Sequence, residues 1–112
     1  ERAAVRGSSL SKLFLQGRHI WISTLVLVQH YRALGVQIRT NAQILITFRE
    51  RSLKNLEALL EENSALVGRD NLKQMYHVAT DRPYGWLLIV LTEADPMKQF
   101  FSSFETRLLP TL

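Results

Sequence analysis

The chain has 112 residues, 46% hydrophobic and 21% charged, which suits one folded core and is too short for two ordinary domains. It contains no cysteine, so disulfide scaffolds, thiolate zinc sites and cysteine nucleophiles are excluded, and its apolar content excludes a disordered acidic tail or low-complexity linker. The net charge of +4 is unevenly spread: residues 1–54 carry nine Lys and Arg against two Glu, whereas residues 55–112 carry five against eight acidic residues. Ten of the fourteen basic residues are Arg, the side chain suited to planar contact with phosphate or carboxylate. A basic half suggests phosphate or nucleic-acid contact; the competing reading is a solvated, Arg-rich surface.

In chain order, the first predicted element is a short helix over residues 9–16. Leu10, Leu13 and Phe14 fall at i, i+3 and i+4, Ser8 or Ser9 can cap it, and Gly17 can end it. Residues 20–28 follow, nearly all apolar and rich in β-branched side chains, and predict a strand buried on both faces. That stretch is about half of the ~20 residues a membrane helix needs, so no transmembrane segment is expected. No secretory signal is visible at the start, and because residue 1 is Glu the native N-terminus is expected upstream.

Gly35 marks a turn, with one helical turn over residues 36–41, and a second strand is predicted over residues 43–48. Ser52 is placed to cap a helix reaching about residue 66, with Leu53, Leu56, Leu59 and Leu60 along one face and Gly68 after it. Asp70 is expected to cap another helix bearing Leu72, Met75, Tyr76 and Ala79. Asp81-Arg82-Pro83-Tyr84-Gly85 is a turn cluster, followed by an apolar strand over residues 86–91. After Asp95-Pro96, the residues Met97, Phe100, Phe101, Phe104 and Leu108 recur at helical spacing over residues 97–109, an expectation held open against an extended arm. Alternating helices and apolar strands predict an α/β fold with a mostly parallel sheet and flanking helices, and because three strands this apolar would leave exposed edges, the chain is expected to be the C-terminal portion of a sheet larger than 112 residues provide.

Several chemistries are incomplete. There is no Gly-rich phosphate loop and no nucleophile elbow. His19, His30 and His77 lack metal-helix spacing, and Glu61-Glu62 reads as a solvated helix face. The stripe of Phe100, Phe101 and Phe104 reads as core or subunit contact. Two positions stand out. Gln29 follows an apolar stretch, and ligands gather at the carboxyl ends of parallel strands, where a Gln can orient a water or hold a phosphate oxygen. Arg39, in Ile38-Arg39-Thr40-Asn41-Ala42, is placed beside a strand and can reach a neighbour's phosphate. The alternatives are a loop cap for Gln29 and a local salt bridge for Arg39.

The order Leu13-Phe14, Gly17-Arg18-His19, Ile22-Ser23, Val28-Gln29, Tyr31, Ile38-Arg39-Thr40-Asn41-Ala42 and Ile46-Thr47-Phe48-Arg49 closely resembles the genome-packaging ATPases of large eukaryotic DNA viruses. These are the poxvirus-type members of the FtsK–HerA superfamily of P-loop NTPases. The strand from Tyr84-Gly85-Trp86 to Val90 fits the same pattern, so the likeness spans roughly residues 10–92. Several of these pieces are weak singly; their order is what carries the resemblance.

The resemblance implies an ATP-hydrolysing motor that moves double-stranded DNA into a capsid. It implies ATP and Mg2+ as cofactors, a homo-oligomeric ring, contact with capsid or portal components, and residence in the host-cell cytoplasm or virus factory, or with the virion. Gln29 matches the sensor position and Arg39 the arginine finger aimed at the next subunit's ATP. Asn41 matches the residue holding that segment, and Gly17, Arg18 and His19 match the segment after the second nucleotide motif, which implies positioning or inter-subunit contact more than catalysis. Arg6, Lys12 and Arg32 match no motif. The Walker A loop and the Walker B acidic strand are absent from this sequence, which implies that residues 1–112 are the C-terminal part of such an ATPase domain, inactive alone. A cellular or plasmid translocase of the same superfamily is an alternative, as is a stand-alone module that binds DNA or an ATPase.

Overall fold

The structure, a computed structural model, describes residues 23–110. The chain divides into two units, Glu1–Ala42 and Gln43–Leu112. The helix expected over residues 9–16, the residues Arg6, Lys12, Gly17, Arg18 and His19, and the beginning of the apolar stretch at Ile20-Trp21-Ile22 lie outside the described residues.

In the first unit, residues 23–28 join no strand, and Leu25 and Leu27 are each 84% exposed. The buried strand expected over residues 20–28 is therefore not found in its described part. Extended backbone becomes a strand only where a neighbour takes up its N–H and C=O groups, and none of the described strands pairs with it. A short 3-10 helix, Tyr31–Ala33, and the helix α1, Val36–Asn41, follow. Helix α1 covers the helical turn read from the sequence; Gly35 stands at its N-cap, and its carbonyl accepts the N–H groups of Ile38 and Arg39, each at 3.1 Å. Tyr31 and Ile38 are the buried apolar residues here.

The second unit begins with β1, Ile44–Phe48, and then two helices, α2 (Leu53–Asn63) and α3 (Arg69–Thr80). Ser52 caps α2 as expected: its hydroxyl accepts the Asn55 N–H at 3.4 Å, and the Glu50 carboxylate accepts the Ser52 N–H at 3.0 Å. Helix α2 ends at Asn63, three residues short of its expected limit, where Asn63 turns its amide back onto the Leu59 carbonyl. At α3 the N-cap is Gly68, not Asp70. Gly68 takes φ +86°, and Asp70 lies in the first turn, where a carboxylate suits the positive end of the helix dipole.

Strand β2, Trp86–Val90, is followed by a 3-10 turn, Pro96–Lys98, and then by β3 (Phe100–Phe101) and β4 (Arg107–Leu108). The helix expected over residues 97–109 is thus replaced by a turn and a hairpin. Its apolar residues lie at spacings that also suit extended pairing. Asp95 caps the turn at Met97, and Ser103 closes the hairpin by accepting the N–H groups of Glu105 and Thr106.

The fold is mixed α/β, but the sheet is antiparallel throughout, in the order β1-β2-β3-β4, which overturns the expected mostly parallel sheet. The reason lies in the connections. A single helix between two strands returns the chain to its starting edge and gives a parallel pair, whereas two successive helices bring it back to the far edge and reverse the second strand. Between β1 and β2 there are two helices.

The register sorts the side chains. Ile44, Ile46 and Phe48 lie opposite Val90, Leu88 and Trp86, while Leu45 and Thr47 lie opposite Ile89 and Leu87. Helix α3 packs on β2 and against α2, and Leu59, Leu60, Leu72, Tyr76, Ala79, Leu87, Ile89 and Phe100 form the core. Each fully buried Leu there contributes about 2 kcal/mol. On the other face Ile44, Ile46 and Phe48 stay substantially exposed.

Candidate functional site

Of the residues singled out from the sequence, Gln29, Arg39 and Asn41 lie among the described residues of the first unit, and Gly17, Arg18 and His19 do not. Gln29 sits in a bend and is exposed; it does not end a strand, because residues 23–28 form none. The 3-10 helix that follows buries Tyr31, and the Leu34 N–H returns to its carbonyl at 3.2 Å. Seven residues after Tyr31, Ile38 is 2% exposed and anchors α1.

Arg39 lies in the last turn of α1 and is half-buried. Its guanidinium carbon stands 5.4 Å from the centroid of the Tyr31 ring. A cation over an aromatic face gains about 0.5–2 kcal/mol, more as the pair is withdrawn from water. A planar cation placed over a buried ring has fewer directions in which to point than one on a solvated helix. Tyr31 is therefore a positioning residue for Arg39, and the sequence reading assigned it no such part. Its signal was an aromatic eight positions before the Arg, too distant for any local helix rule to pair them.

Asn41 ties the same segment to itself. Its side-chain amide donates to the Gln37 carbonyl at 2.9 Å, and the Thr40 hydroxyl donates to the Val36 carbonyl at 2.8 Å. Both bonds run within α1, closing a helix of six residues that is too short to persist on propensity alone. Arg39 and Asn41 are thus brought onto one turn, with Tyr31 linking that turn to the stretch that begins at Gln29.

The second unit holds an arrangement the sequence reading did not single out. Arg49, one residue past β1, donates to the carbonyls of Thr80 and Asp81 at 2.8 and 3.0 Å, with the Asp81 carboxylate at 4.0 Å. The Tyr76 hydroxyl accepts the Glu50 N–H and donates to the Phe48 carbonyl at 3.3 Å. Burial pushes the Tyr76 phenol above its ordinary value, the largest of several influences on it. Arg82 donates to the Ser102 carbonyl at 2.7 Å. These bonds lock the junctions of α3 with both neighbouring strands. Elsewhere, Arg69 and Glu57 form an exposed pair between α2 and α3, and Glu57 raises the Arg69 guanidinium above its ordinary value.

Among the described residues no group of three or more His, Cys, Asp or Glu comes together to hold a metal ion, and no helix is long and apolar enough to cross a membrane. His77 is exposed and meets the Tyr76 ring edge-on at 5.5 Å.

The family model described as Poxvirus A32 protein matches residues 2–95, more than four-fifths of the chain. No curated protein and no solved structure matches it. The chain belongs to the Poxvirus A32 protein family, which bears out the resemblance to poxvirus-type genome-packaging ATPases.

Proposed function

From that membership, we propose that this chain is part of an ATP-driven translocase that packages viral genomic DNA into capsids. It works in the cytoplasm or virus factory of the host cell, as one subunit of a homo-oligomeric ring of P-loop motors. ATP is the substrate. The grip on its phosphates and on Mg2+ belongs to motifs that residues 1–112 lack.

Two residues of the chain take roles in hydrolysis. Arg39 acts in trans: its guanidinium reaches the ATP of the adjacent subunit and stabilises the charge that develops on the transferred phosphoryl group, a contribution worth about 10³–10⁵ in rate. Gln29 orients the attacking water and senses the phosphate. Asn41 keeps the Arg39 turn closed, and Tyr31 sets the direction of the guanidinium. Gly17, Arg18 and His19 position the neighbouring subunit. Double-stranded DNA is held through its phosphates, independently of sequence and with strong dependence on salt.

The observation that carries this reading is the half-buried Arg39 held on Tyr31 within a chain of this family. In the intact ATPase, Arg39→Ala is expected to abolish turnover while leaving nucleotide affinity unchanged, and Tyr31→Leu to lower kcat with the same unchanged affinity. Wild-type turnover in Arg39→Ala overturns the finger assignment.

A further inference from the structure

The turn that enters β2, Asp81-Arg82-Pro83-Tyr84-Gly85, holds its aromatic residue in an unusual way. Tyr84 has φ +59° and is 92% exposed. A bulky side chain rarely adopts that backbone conformation, and glycine would adopt it freely. The turn is nevertheless rigid. The Gly85 N–H closes it on the Arg82 carbonyl at 3.0 Å, and a Cβ at Gly85 would lie 2.5 Å from the Ala79 carbonyl oxygen. Arg49 grips the carbonyls of Thr80 and Asp81 just before it. Strain of this kind survives where the surroundings over-determine it, and such positions cluster at contact sites.

The turn is also tied to a second one. Arg82 donates to the Ser102 carbonyl, and residues 102–106 are closed by the Ser102 N–H on the Thr106 carbonyl at 2.9 Å. This second turn carries Phe104, 74% exposed, with its ring 4.9 Å from that of Trp86. Strand β1 leaves the sheet at the same end, because Phe48 pairs with Trp86, and it leads directly into Arg49 and the exposed Arg51. Two locked turns thus present two exposed aromatic rings beside three arginines. The nearby acids are Asp81, facing Arg49 at 4.0 Å, Glu50, bonded to the Ser52 N–H, and the exposed Glu105.

We infer that this end of the second unit is a DNA-contact surface, with Arg51 and the N–H groups that Arg49 and Arg82 do not spend on the turn carbonyls directed to phosphates, and Tyr84 and Phe104 against sugars and bases. Rigid aromatics interleaved with guanidinium groups suit a polyanion that also carries flat apolar faces. The inference rests on the reading of the chain as part of a DNA translocase and deepens it by naming where the DNA lies.

The test is binding of labelled DNA, duplex and single-stranded, by the intact ATPase as a function of salt. Tyr84→Gly and Phe104→Ser are each expected to weaken binding about tenfold, and Arg51→Gln to reduce the salt slope by about one. Tyr84→Gly keeps or raises the melting temperature, since glycine accepts the local backbone, so misfolding does not account for its loss. Equal losses on both DNAs indicate sugar and phosphate contact and larger losses on single strands indicate base stacking; either supports the surface. Wild-type affinity in both aromatic variants overturns it, as does loss of self-association with DNA binding unchanged, which marks a protein interface. If the wild-type ATPase itself binds no DNA, the DNA reading of this chain fails with the surface. If it binds while the variants are unaffected, the surface alone fails.

Discussion

Arg49 donates to the carbonyl of Thr80 at 2.8 Å, joining the end of β1 to the last turn of α3 across 31 positions of sequence. The last carbonyls of a helix have no partner within it, and a cation is favoured there by the helix dipole. Arg49 serves both needs, and its second bond, to Asp81, extends the grip into the turn that follows. Arg49→Met keeps much of the apolar stem and removes these bonds. It is expected to destabilise the fold by about 1–2 kcal/mol, since hydrogen bonds to charged groups contribute about 1.5–3 kcal/mol and the exposed side chain is screened. Chemical denaturation of the two proteins measures the difference.

Gly85 and Gly68 separate two reasons for a glycine. At Gly85 a methyl group would meet the Ala79 carbonyl oxygen at 2.5 Å, a backbone atom in the last turn of α3. Gly85→Ala is expected to cost about 2–3 kcal/mol, in the range of overpacked sites. At Gly68 nothing lies within 4 Å of the added carbon, and only the φ of +86° opposes it. Gly68→Ala is expected to cost about 1 kcal/mol. Melting curves showing Gly68→Ala as the more damaging change would contradict the close approach at Gly85.

Tyr76 links stability to alkaline pH. The residue is 1% exposed, and burial raises its phenol above the ordinary value near 10. A raised pKa in the folded state means that the fold favours the protonated, neutral form. The associated stability is complete below the unfolded value, near 10, and is lost as pH rises through the higher folded value. The melting temperature is therefore expected to drop above pH of about 10 in the wild type. The drop should be smaller in Tyr76→Phe, which starts less stable for want of the bonds to Glu50 and Phe48. Parallel curves for the two proteins would remove Tyr76 from the effect.

Much of the local structure was legible in the sequence. The apolar period of Leu72, Met75, Tyr76 and Ala79 located α3, Ser52 located the start of α2, and the β-branched and aromatic runs located β1 and β2, because each depends on residues within one or two turns of one another. The family was legible too, since the order of its motifs survives in the linear chain. Residues 97–109 stayed open between a helix and an extended arm, because the helical spacing of Met97, Phe100, Phe101, Phe104 and Leu108 is a local signal, and the choice fell to pairing with β2, which burial of Phe100 stabilises. Strand direction was beyond local pattern altogether: it followed from two helices, α2 and α3, lying between β1 and β2 in the sequence. The same holds for Tyr31 beneath Arg39, for Arg49 on the end of α3, and for the paired turns of Tyr84 and Phe104. Each joins residues that no short-range period relates, so only a chain folded back on itself could bring them together.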